Sequence, residues 1–517
     1  MLHALRRPRP LSWGLAGLFA ALYACVAVNR HRRMLTQSYD LGIFEQAVRA
    51  YAHGEAPVVL LKGPGYQLLG DHFHPLLATL APLYRLFPSA VTLLLAQAVL
   101  MALAVVPLTR WAFEVGGPRP AVLVGVLTGA SWGIVEAVAD DFHEIAFAVP
   151  LLAFAATALG RGRPVAAVLW ALPLVLVKED LGLTVAVVGA LVFVRAEKGS
   201  GTRALGFGVA VFGLAATALT VLVVLPSFNP DGGFDYWGQM GTREAAGAPW
   251  ELAGRLVWPP LKWLLLGLAA ATAGFLGLRS PLVLLCVPTL GWRLAADNSH
   301  YWGVSYHYSA VLMPLLLAAL VDAVRRTGAF AGPVRVPARG REAGPDRAAV
   351  RRARRALAVA GLVALVTLPV YPLHELVAPG AWGTSPRLER ARSMLARIPD
   401  GATVAASNRL AAQLAGRTTV GLVCREPSPP LVESPSVGTP SVGALSPGIL
   451  LPRTLSPGTL SPGAVRGGPE WVVVDLADPS VKAPCAIADT LRMLDRYERL
   501  GYRRVVDDGD LRLLGHP

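Results

Sequence analysis

Charged residues are scarce in this sequence: Asp, Glu, Lys and Arg together make up 16% of its 517 residues. Ordinary globular domains carry about 25%. Hydrophobic residues account for 54%, and apolar runs recur through the first three quarters of the chain. A helix needs roughly 20 mostly apolar residues to span a bilayer. The composition therefore excludes an ordinary soluble protein and predicts an integral membrane protein with many spans.

Cysteine is also scarce, with four residues in the whole chain, which excludes a disulfide-rich scaffold. Cys25 and Cys286 fall within apolar runs, where we expect inert packing residues. Cys424 and Cys485 lie in the polar C-terminal part, where a disulfide is possible. The first apolar run lacks a small-residue cleavage site, so we expect a membrane anchor there and no cleavable signal peptide.

The net charge of +14 does not indicate nucleic acid as a partner, because the basic residues lie largely in short loops between apolar runs. The positive-inside rule explains this distribution. We therefore expect a cytoplasmic (inner) membrane location, with the basic N-terminus and the Arg-rich residues 325–355 in the cytoplasm. The chain that follows the last apolar run is then expected outside.

We expect an all-α, polytopic membrane domain over residues 1–373, with residues 30–75 as its first outer loop. About eleven transmembrane helices are predicted, at Leu11–Val28, Ala90–Trp111, Ala121–Val138, Ala146–Leu159, Val165–Val177, Leu181–Val194, Leu205–Leu225, Leu261–Leu278, Leu282–Ala295, Ser309–Val324 and Ala356–Tyr371.

Residues 374–517 have the alternating helix and strand pattern of a small extracytoplasmic α/β domain. The predicted strands are Val404–Ser407, Trp471–Asp475 and Leu511–Leu514. Between the first two lies a Pro/Gly/Ser-rich stretch, about residues 426–468, in which Ser-Pro-Gly recurs. Such a composition cannot bury a core, so a disordered insertion is predicted.

Histidine and acidic residues gather on the predicted outer side, where every His except His3 falls. Ionisable groups cost roughly 2.5–3.5 kcal/mol each at the centre of a bilayer, so their gathering at one depth suggests a shared polar cavity. A charged residue at a span end can also be a solvated boundary, and Lys178–Asp180 can be a tight turn. The clusters are Tyr39–Asp40, Asp71–His74, Asp140–Glu144, Lys178–Asp180 and Asp297–His300.

The residues after Asp40 predict a short amphipathic helix that lies on the membrane interface. Its polar face holds Glu45, Gln46 and Arg49. Ser38 or Asp40 is placed to cap the helix, and a plain N-cap is the alternative role for Asp40. The apolar face has helical spacing, with Phe44, Ala47, Val48 and Tyr51.

Several linked motifs resemble a family of bacterial predicted membrane proteins of unknown function. They are YDLGIFEQAVRAYAHG, GDHFHPLLATLAPLYRLFPS, DDFHEIAFAVPLLAFA, VKEDLGL and SYHYSAVLMPLL, in this order. The layout is also similar to that of GT-C glycosyltransferases, which have many spans, a first outer loop with interfacial helices and an acidic residue early in that loop. This resemblance implies transfer of a sugar from a polyprenyl-phosphate donor to an acceptor outside the cytoplasmic membrane.

By position, Asp40 matches the early acidic residue, and we expect it to be the catalytic base of an inverting transfer. The expected substrate-binding residues are Lys178, Glu179, Asp180, His72, His74 and His307. A divalent metal, Mg²⁺ or Mn²⁺, is expected at Asp140, Asp141, His143 and Glu144, because acids and a histidine follow each other closely there.

The expected function is thus a membrane glycosyltransferase whose acceptor is a glycan, lipid or protein. Two alternatives stay open. A transporter would use the acids and histidines as a substrate or proton path. A non-catalytic assembly or binding protein would act through its outer C-terminal domain.

Overall fold

The structure, a computed structural model, describes residues 7–236, 254–330, 346–424, 468–478 and 485–516. Apart from Gly468, the predicted disordered insertion lies outside these residues. The described chain forms a bundle of apolar helices and a small C-terminal sheet. Its longer helices are α1 (Pro8–Arg32), α2 (Ile43–Ala52), α3 (Ala81–Leu86), α4 (Ala90–Gly116), α5 (Pro118–Ala139), α6 (Glu144–Gly160), α7 (Pro164–Leu176), α8 (Leu181–Arg195), α9 (Gly201–Phe228), α10 (Leu261–Thr272), α11 (Pro281–Ala295), α12 (His307–Arg326), α13 (Arg347–Thr367), α14 (Pro386–Leu395), α15 (Asn408–Ala412) and α16 (Ile487–Arg499).

Each predicted span overlaps one of these helices, so the helical membrane-protein fold is confirmed. By length and composition, α1, α4, α5, α9 and α12 could each cross a membrane. The apolar helices α6, α7, α8, α10 and α11 are shorter, with 10–17 residues. The number of crossings therefore stays a prediction.

Helices α8 and α9 pack backbone to backbone through glycines, as small residues allow in membrane helices. A Cβ atom on Gly189 would lie 2.4 Å from the Ala210 nitrogen, and one on Gly213 would lie 2.4 Å from the Gly182 oxygen. The opposite side of α9 exposes large apolar side chains, among them Val211 and Leu222. An exposed face of this kind suits contact with lipid.

The first outer loop folds onto the bundle and carries α2, whose polar face is not exposed to solvent. Gln46 and Arg49 donate hydrogen bonds to backbone oxygens of residues 415–420 in the C-terminal domain. Glu45 is buried beside the Tyr84 hydroxyl, 3.1 Å away, and burial raises its pKa to about 7. The expected cap is wrong, because Gly42 occupies the N-cap position of α2.

The C-terminal domain holds a five-stranded sheet of order β2-β1-β3-β5-β4. Strands β1, β2 and β3 are parallel, whereas β5 runs antiparallel to β3 and β4. The three predicted strands are found, and two were missed, β2 and the exposed edge strand β4. The bounds are β1 (Thr403–Ala406), β2 (Thr419–Leu422), β3 (Trp471–Asp475), β4 (Arg503–Asp508) and β5 (Leu511–Gly515).

A disulfide joins Cys424, just after β2, to Cys485, just before α16, with the two Cα atoms 5.5 Å apart. This bond closes the chain around the long insertion. The pairing that the sequence left open is therefore formed in the structure.

The sheet domain is joined to the outer loop through Asn408, at the start of α15. Its Oδ1 atom accepts hydrogen bonds from the backbone nitrogens of Ser38 and Tyr39, at 3.0 and 3.1 Å, and from the Ser38 hydroxyl at 2.7 Å. Its Nδ2 atom donates to the Gln37 side chain at 3.1 Å. One buried amide from the C-terminal domain thus fixes the backbone directly beside Asp40.

We expect Asn408→Leu to lower the melting temperature of the detergent-purified protein by several degrees, because each lost hydrogen bond contributes about 1 kcal/mol. Asn408→Asp keeps the accepting oxygen and should lose less. Arg390→Ala, which breaks an exposed ion pair in the same domain, is the control and should change the melting temperature little. Equal melting temperatures for Asn408→Leu and the wild type would show that this contact does not hold the loop.

Candidate functional site

A cavity of about 330 Å³ lies where the first outer loop meets the ends of several helices. Its walls come from the loop, the starts of α6, α8 and α12, and the ends of α9 and α11. These helix ends all belong to the predicted outer side. The structure brings nine of the predicted site residues to this one cavity: Asp40, His72, His74, His143, Glu144, Lys178, Glu179, Asp180 and His307.

The other two predicted site residues, Asp140 and Asp141, do not line the cavity. Asp140 lies behind His307 and accepts hydrogen bonds from its backbone nitrogen at 3.1 Å and from Nδ1 at 2.9 Å. Asp141 accepts from the Gln37 backbone nitrogen at 2.8 Å, so it holds the loop. The predicted set of four metal ligands is therefore not assembled.

Two histidines stack in the wall near Asp40, and each faces a carboxylate. The ring centroids of His143 and His307 lie 3.6 Å apart. Asp40 Oδ1 lies 3.2 Å from Nε2 of His143, while Asp140 contacts His307 from the other side. The result is an acid–imidazole–imidazole–acid series with Asp40 at its cavity end.

A second group of charges forms two pairs between the loop and the helix ends. Lys178 Nζ lies 2.8 Å from Glu144 Oε1, so this predicted metal ligand neutralises a lysine instead. His72 Nδ1 lies 2.8 Å from Glu179 Oε1, and the Phe73 backbone nitrogen donates to the other oxygen of the same carboxylate at 3.2 Å. The Asp-His-Phe-His corner is thereby fastened to the turn between α7 and α8.

Sequence reasoning missed Lys62, which lies in the same outer loop and forms an ion pair with Asp71 at 2.9 Å. The other oxygen of Asp71 accepts from the Tyr236 hydroxyl at 3.2 Å, and the Tyr236 ring stacks on His72. The signal that could have indicated Lys62 was its position in the first outer loop, nine residues before Asp71. The cavity wall also contains Tyr39, from the predicted Tyr39–Asp40 cluster, and aromatic residues that were not predicted to lie there: Phe44, Phe234, Trp292, Tyr301 and Tyr308.

Two buried side chains outside the cavity hold its walls in place. Gln97, in the first third of α4, accepts a hydrogen bond from the His143 nitrogen at 2.9 Å and donates to the Ala137 oxygen at 3.2 Å. Arg293 is fully buried and donates to the Gly303 oxygen at 3.0 Å and the Tyr308 oxygen at 3.2 Å. These contacts fix the segments that carry His143 and His307.

Burial and pairing shift the pKa values of the loop residues in opposite directions. Burial tends to raise the pKa of Asp71, but Lys62 and His72 outweigh it and the pKa is lowered. Burial tends to lower the pKa of His72, but Glu179 outweighs it and the pKa is raised. Burial lowers the pKa of His74. His72 is thus the imidazole of this corner that favours the charged form.

Two buried polar atoms of the cavity wall have no hydrogen-bond partner among the described residues. They are His74 Nδ1 and Asp180 Oδ1; the second oxygen of Asp180 accepts from Trp292 Nε1 at 2.9 Å. Buried polar atoms are paired in nearly all folded proteins. A polar ligand in the cavity would supply these partners.

A metal ion has a different set of candidate ligands from the one that the sequence predicts. Asp140, His143 and His307 each offer a ligand atom, and these atoms lie within 4.8 Å of one another. His307 was expected to bind substrate. It comes from a segment more than 160 residues away from the other two ligands, so no local spacing could reveal the set.

We expect the His72–Glu179 pair to stabilise the protein in a pH-dependent way. Because the folded-state pKa of His72 is raised, the contribution is complete below the unfolded value of about 6.5 and is lost as pH rises through the folded value. His72→Gln should therefore lower the melting temperature most at acidic pH, with a difference that shrinks as pH rises. His53→Gln, on an exposed part of the same loop, is the control; a pH dependence of equal size there would contradict the assignment.

Comparison with known proteins places the chain in a family. The comparison with curated proteins found no match to the chain. Residues 30–427 match the family described as "Predicted membrane protein (DUF2079)". The match starts at the outer loop, includes every residue named in the cavity wall and ends just after β2. Because it covers more than half of the chain, the protein belongs to the DUF2079 family of predicted membrane proteins.

Proposed function

We propose that this protein is an integral membrane glycosyltransferase that moves a sugar from a polyprenyl-phosphate donor to an acceptor hydroxyl on the extracytoplasmic face. The observation that carries the proposal is the position of Asp40 in a charged cavity beside an apolar helix surface. Such a cavity suits a ligand with a polar head and an apolar tail.

Asp40 is the carboxylate best placed to act as general base. Its side chain is 18% exposed, compared with 3% for Glu144 and 5% for Glu179. Glu144 also faces a lysine ammonium, which holds a carboxylate in its charged form and weakens it as a base. Asp40 faces an imidazole, His143. A base of this kind takes the proton of the attacking hydroxyl in the transition state.

Cationic groups for the donor phosphate lie in the cavity wall. Lys178, Lys62 and His72 all line the cavity, and fixed cations stabilise the charge that develops on a leaving phosphate. The orphaned atoms His74 Nδ1 and Asp180 Oδ1 offer hydrogen bonds to sugar hydroxyls. His307 and Glu179 complete the predicted set of substrate-binding residues.

The lipid part of the donor has an apolar path beside the charged wall. Leu183 of α8 and Val221 of α9 line the cavity, and α9 exposes large apolar side chains along its outer side. In the proposed complex, the polyprenyl chain lies along the apolar surface of α9 and its phosphate enters the cavity. This arrangement favours a lipid-linked donor over a soluble sugar nucleotide.

The proposed orientation places the N-terminus in the cytoplasm of a cell with the protein in its inner membrane, and the C-terminal domain outside. The Cys424–Cys485 disulfide supports an outer location, since disulfides persist in oxidising compartments. The Arg-rich residues before α13 support a cytoplasmic position for that loop. The cavity then opens on the extracytoplasmic side, where lipid-linked sugars are used.

The same geometry is less suited to transport. A transport path needs ionisable groups through the depth of the membrane. Here the charged lining comes from helix ends that belong to one predicted side, together with the outer loop. We therefore favour a catalytic site over a translocation path.

Asp40→Asn should reduce sugar transfer about 100-fold or more, the usual contribution of a general base. The measurement is release of radiolabelled sugar from synthetic polyprenyl-phosphate sugars by membranes that contain the protein. Glu55→Gln removes an exposed carboxylate from the same loop and is the matched control, with unchanged transfer expected. A wild-type rate in Asp40→Asn would remove Asp40 from its assigned role.

A double substitution separates the two possible roles of Lys178. Lys178→Met leaves Glu144 buried and unpaired, and breaking a buried pair costs about 3–5 kcal/mol. Adding Glu144→Gln should restore the melting temperature, because no uncompensated charge remains. We expect donor binding to stay lost in the double variant, since the phosphate still lacks its cation. Recovery of both stability and donor binding would show that the pair is only structural.

A further inference from the structure

The cavity carries more negative than positive charge. Among the described residues that line it are two lysines and five carboxylates: Asp40, Asp71, Glu144, Glu179 and Asp180. A single imidazolium at His72 leaves the excess negative. A phosphate group entering this cavity would meet net repulsion unless another cation were present.

A place for that cation lies in the wall beside Asp40. Ligand atoms of Asp140, His143 and His307 lie within 4.8 Å of one another, and the three side chains are almost fully buried. They come from the end of α5, the turn before α6 and the start of α12. Two segments that are distant in sequence, the turn between α5 and α6 and the start of α12, therefore converge on one point.

We propose that Asp140, His143 and His307 bind a zinc ion. Two imidazoles and one carboxylate form a ligand set found in catalytic zinc sites, whereas magnesium prefers six oxygen ligands. The inference rests on the proposed function only for its role, which is to let the cavity accept a phosphate. It replaces the Mg²⁺ or Mn²⁺ site expected from the sequence.

The surroundings suit a catalytic rather than a structural zinc site. A catalytic zinc has three protein ligands and one open position. His143 and His307 line the cavity while Asp140 lies behind them, so an ion held by the three would be accessible from the cavity. Asp40 lies on the same side, 3.2 Å from His143 Nε2.

The ligands need only small side-chain movements to close on the ion. Tetrahedral zinc with bonds of about 2.1 Å separates its ligand atoms by roughly 3.5 Å, which is shorter than the 4.8 Å limit observed. The backbone of each histidine is already fixed. Gln97 accepts from the His143 nitrogen, and Arg293 donates to the Tyr308 oxygen next to His307.

The experiment measures zinc binding to the full chain, purified in detergent and stripped with a chelator, in the absence of any donor lipid. Isothermal titration with Zn²⁺ alone should give one site per chain. His143→Ala and His307→Ala should each weaken binding at least 100-fold, and millimolar Mg²⁺ should not compete. His300→Ala, a histidine close in sequence to His307 but outside the cavity wall, is the matched control with unchanged affinity.

A second measurement keeps the site testable if an alanine variant does not fold. Co²⁺ in place of zinc gives visible absorption bands that depend on the ligand set, and Asp140→Asn, which keeps the side-chain size, should change those bands. Absence of zinc binding by the wild type would overturn the site. So would wild-type affinity in His307→Ala, an equal loss in His300→Ala, or an unchanged Co²⁺ spectrum in Asp140→Asn.

The zinc site and the proposed function can fail separately. Zinc binding without any sugar transfer by the wild type would leave the site standing and remove the transferase. Sugar transfer at full rate by chelator-treated, zinc-free protein would overturn the role of zinc in phosphate binding and leave the transferase standing.

Discussion

A carboxylate buried at the end of an apolar helix bundle needs a cation or a hydrogen-bond donor beside it, because losing water costs several kcal/mol per ion. Glu144 has Lys178, Glu179 has His72 and Asp71 has Lys62. The His72–Glu179 pair links the outer loop to the turn between α7 and α8, while Glu144–Lys178 links that turn to α6. Satisfying these charges therefore positions the loop against the helices and shapes the cavity between them.

The buried backbone N–H groups of the loop also need hydrogen-bond partners. Ser38 and Tyr39 present backbone N–H groups beside Asp40, and Asn408 accepts from both. Since Asn408 lies 370 residues further along the chain than Ser38, the C-terminal domain is part of the frame of the site. It holds the backbone beside Asp40, although none of its described residues lines the cavity.

Hydropathy predicted the helices well because it is a local average over about 20 residues. It also indicated that titratable residues gather on one side. The roles of residues whose hydrogen-bond partners are distant in sequence could not be predicted in this way. Gln97 looks like one polar residue in an apolar run, and Arg293 looks like an ordinary charge at a helix end, yet both are buried supports of the histidine segments. The edge strand β4 was missed because its residues are largely exposed and do not alternate.

The sequence by itself determined that this is a membrane protein, where its apolar helices lie and which residue types meet on one side. Only the tertiary structure decided which acid faces which cation. It moved Glu144 from a metal ligand to the partner of Lys178, assigned Asp141 to the loop and brought His307 to His143. The physical reason is the distance along the chain between the residues involved. Hydropathy and charge bias are properties of neighbouring residues, whereas ion pairs and ligand sets depend on distant side chains that packing brings within a few ångströms.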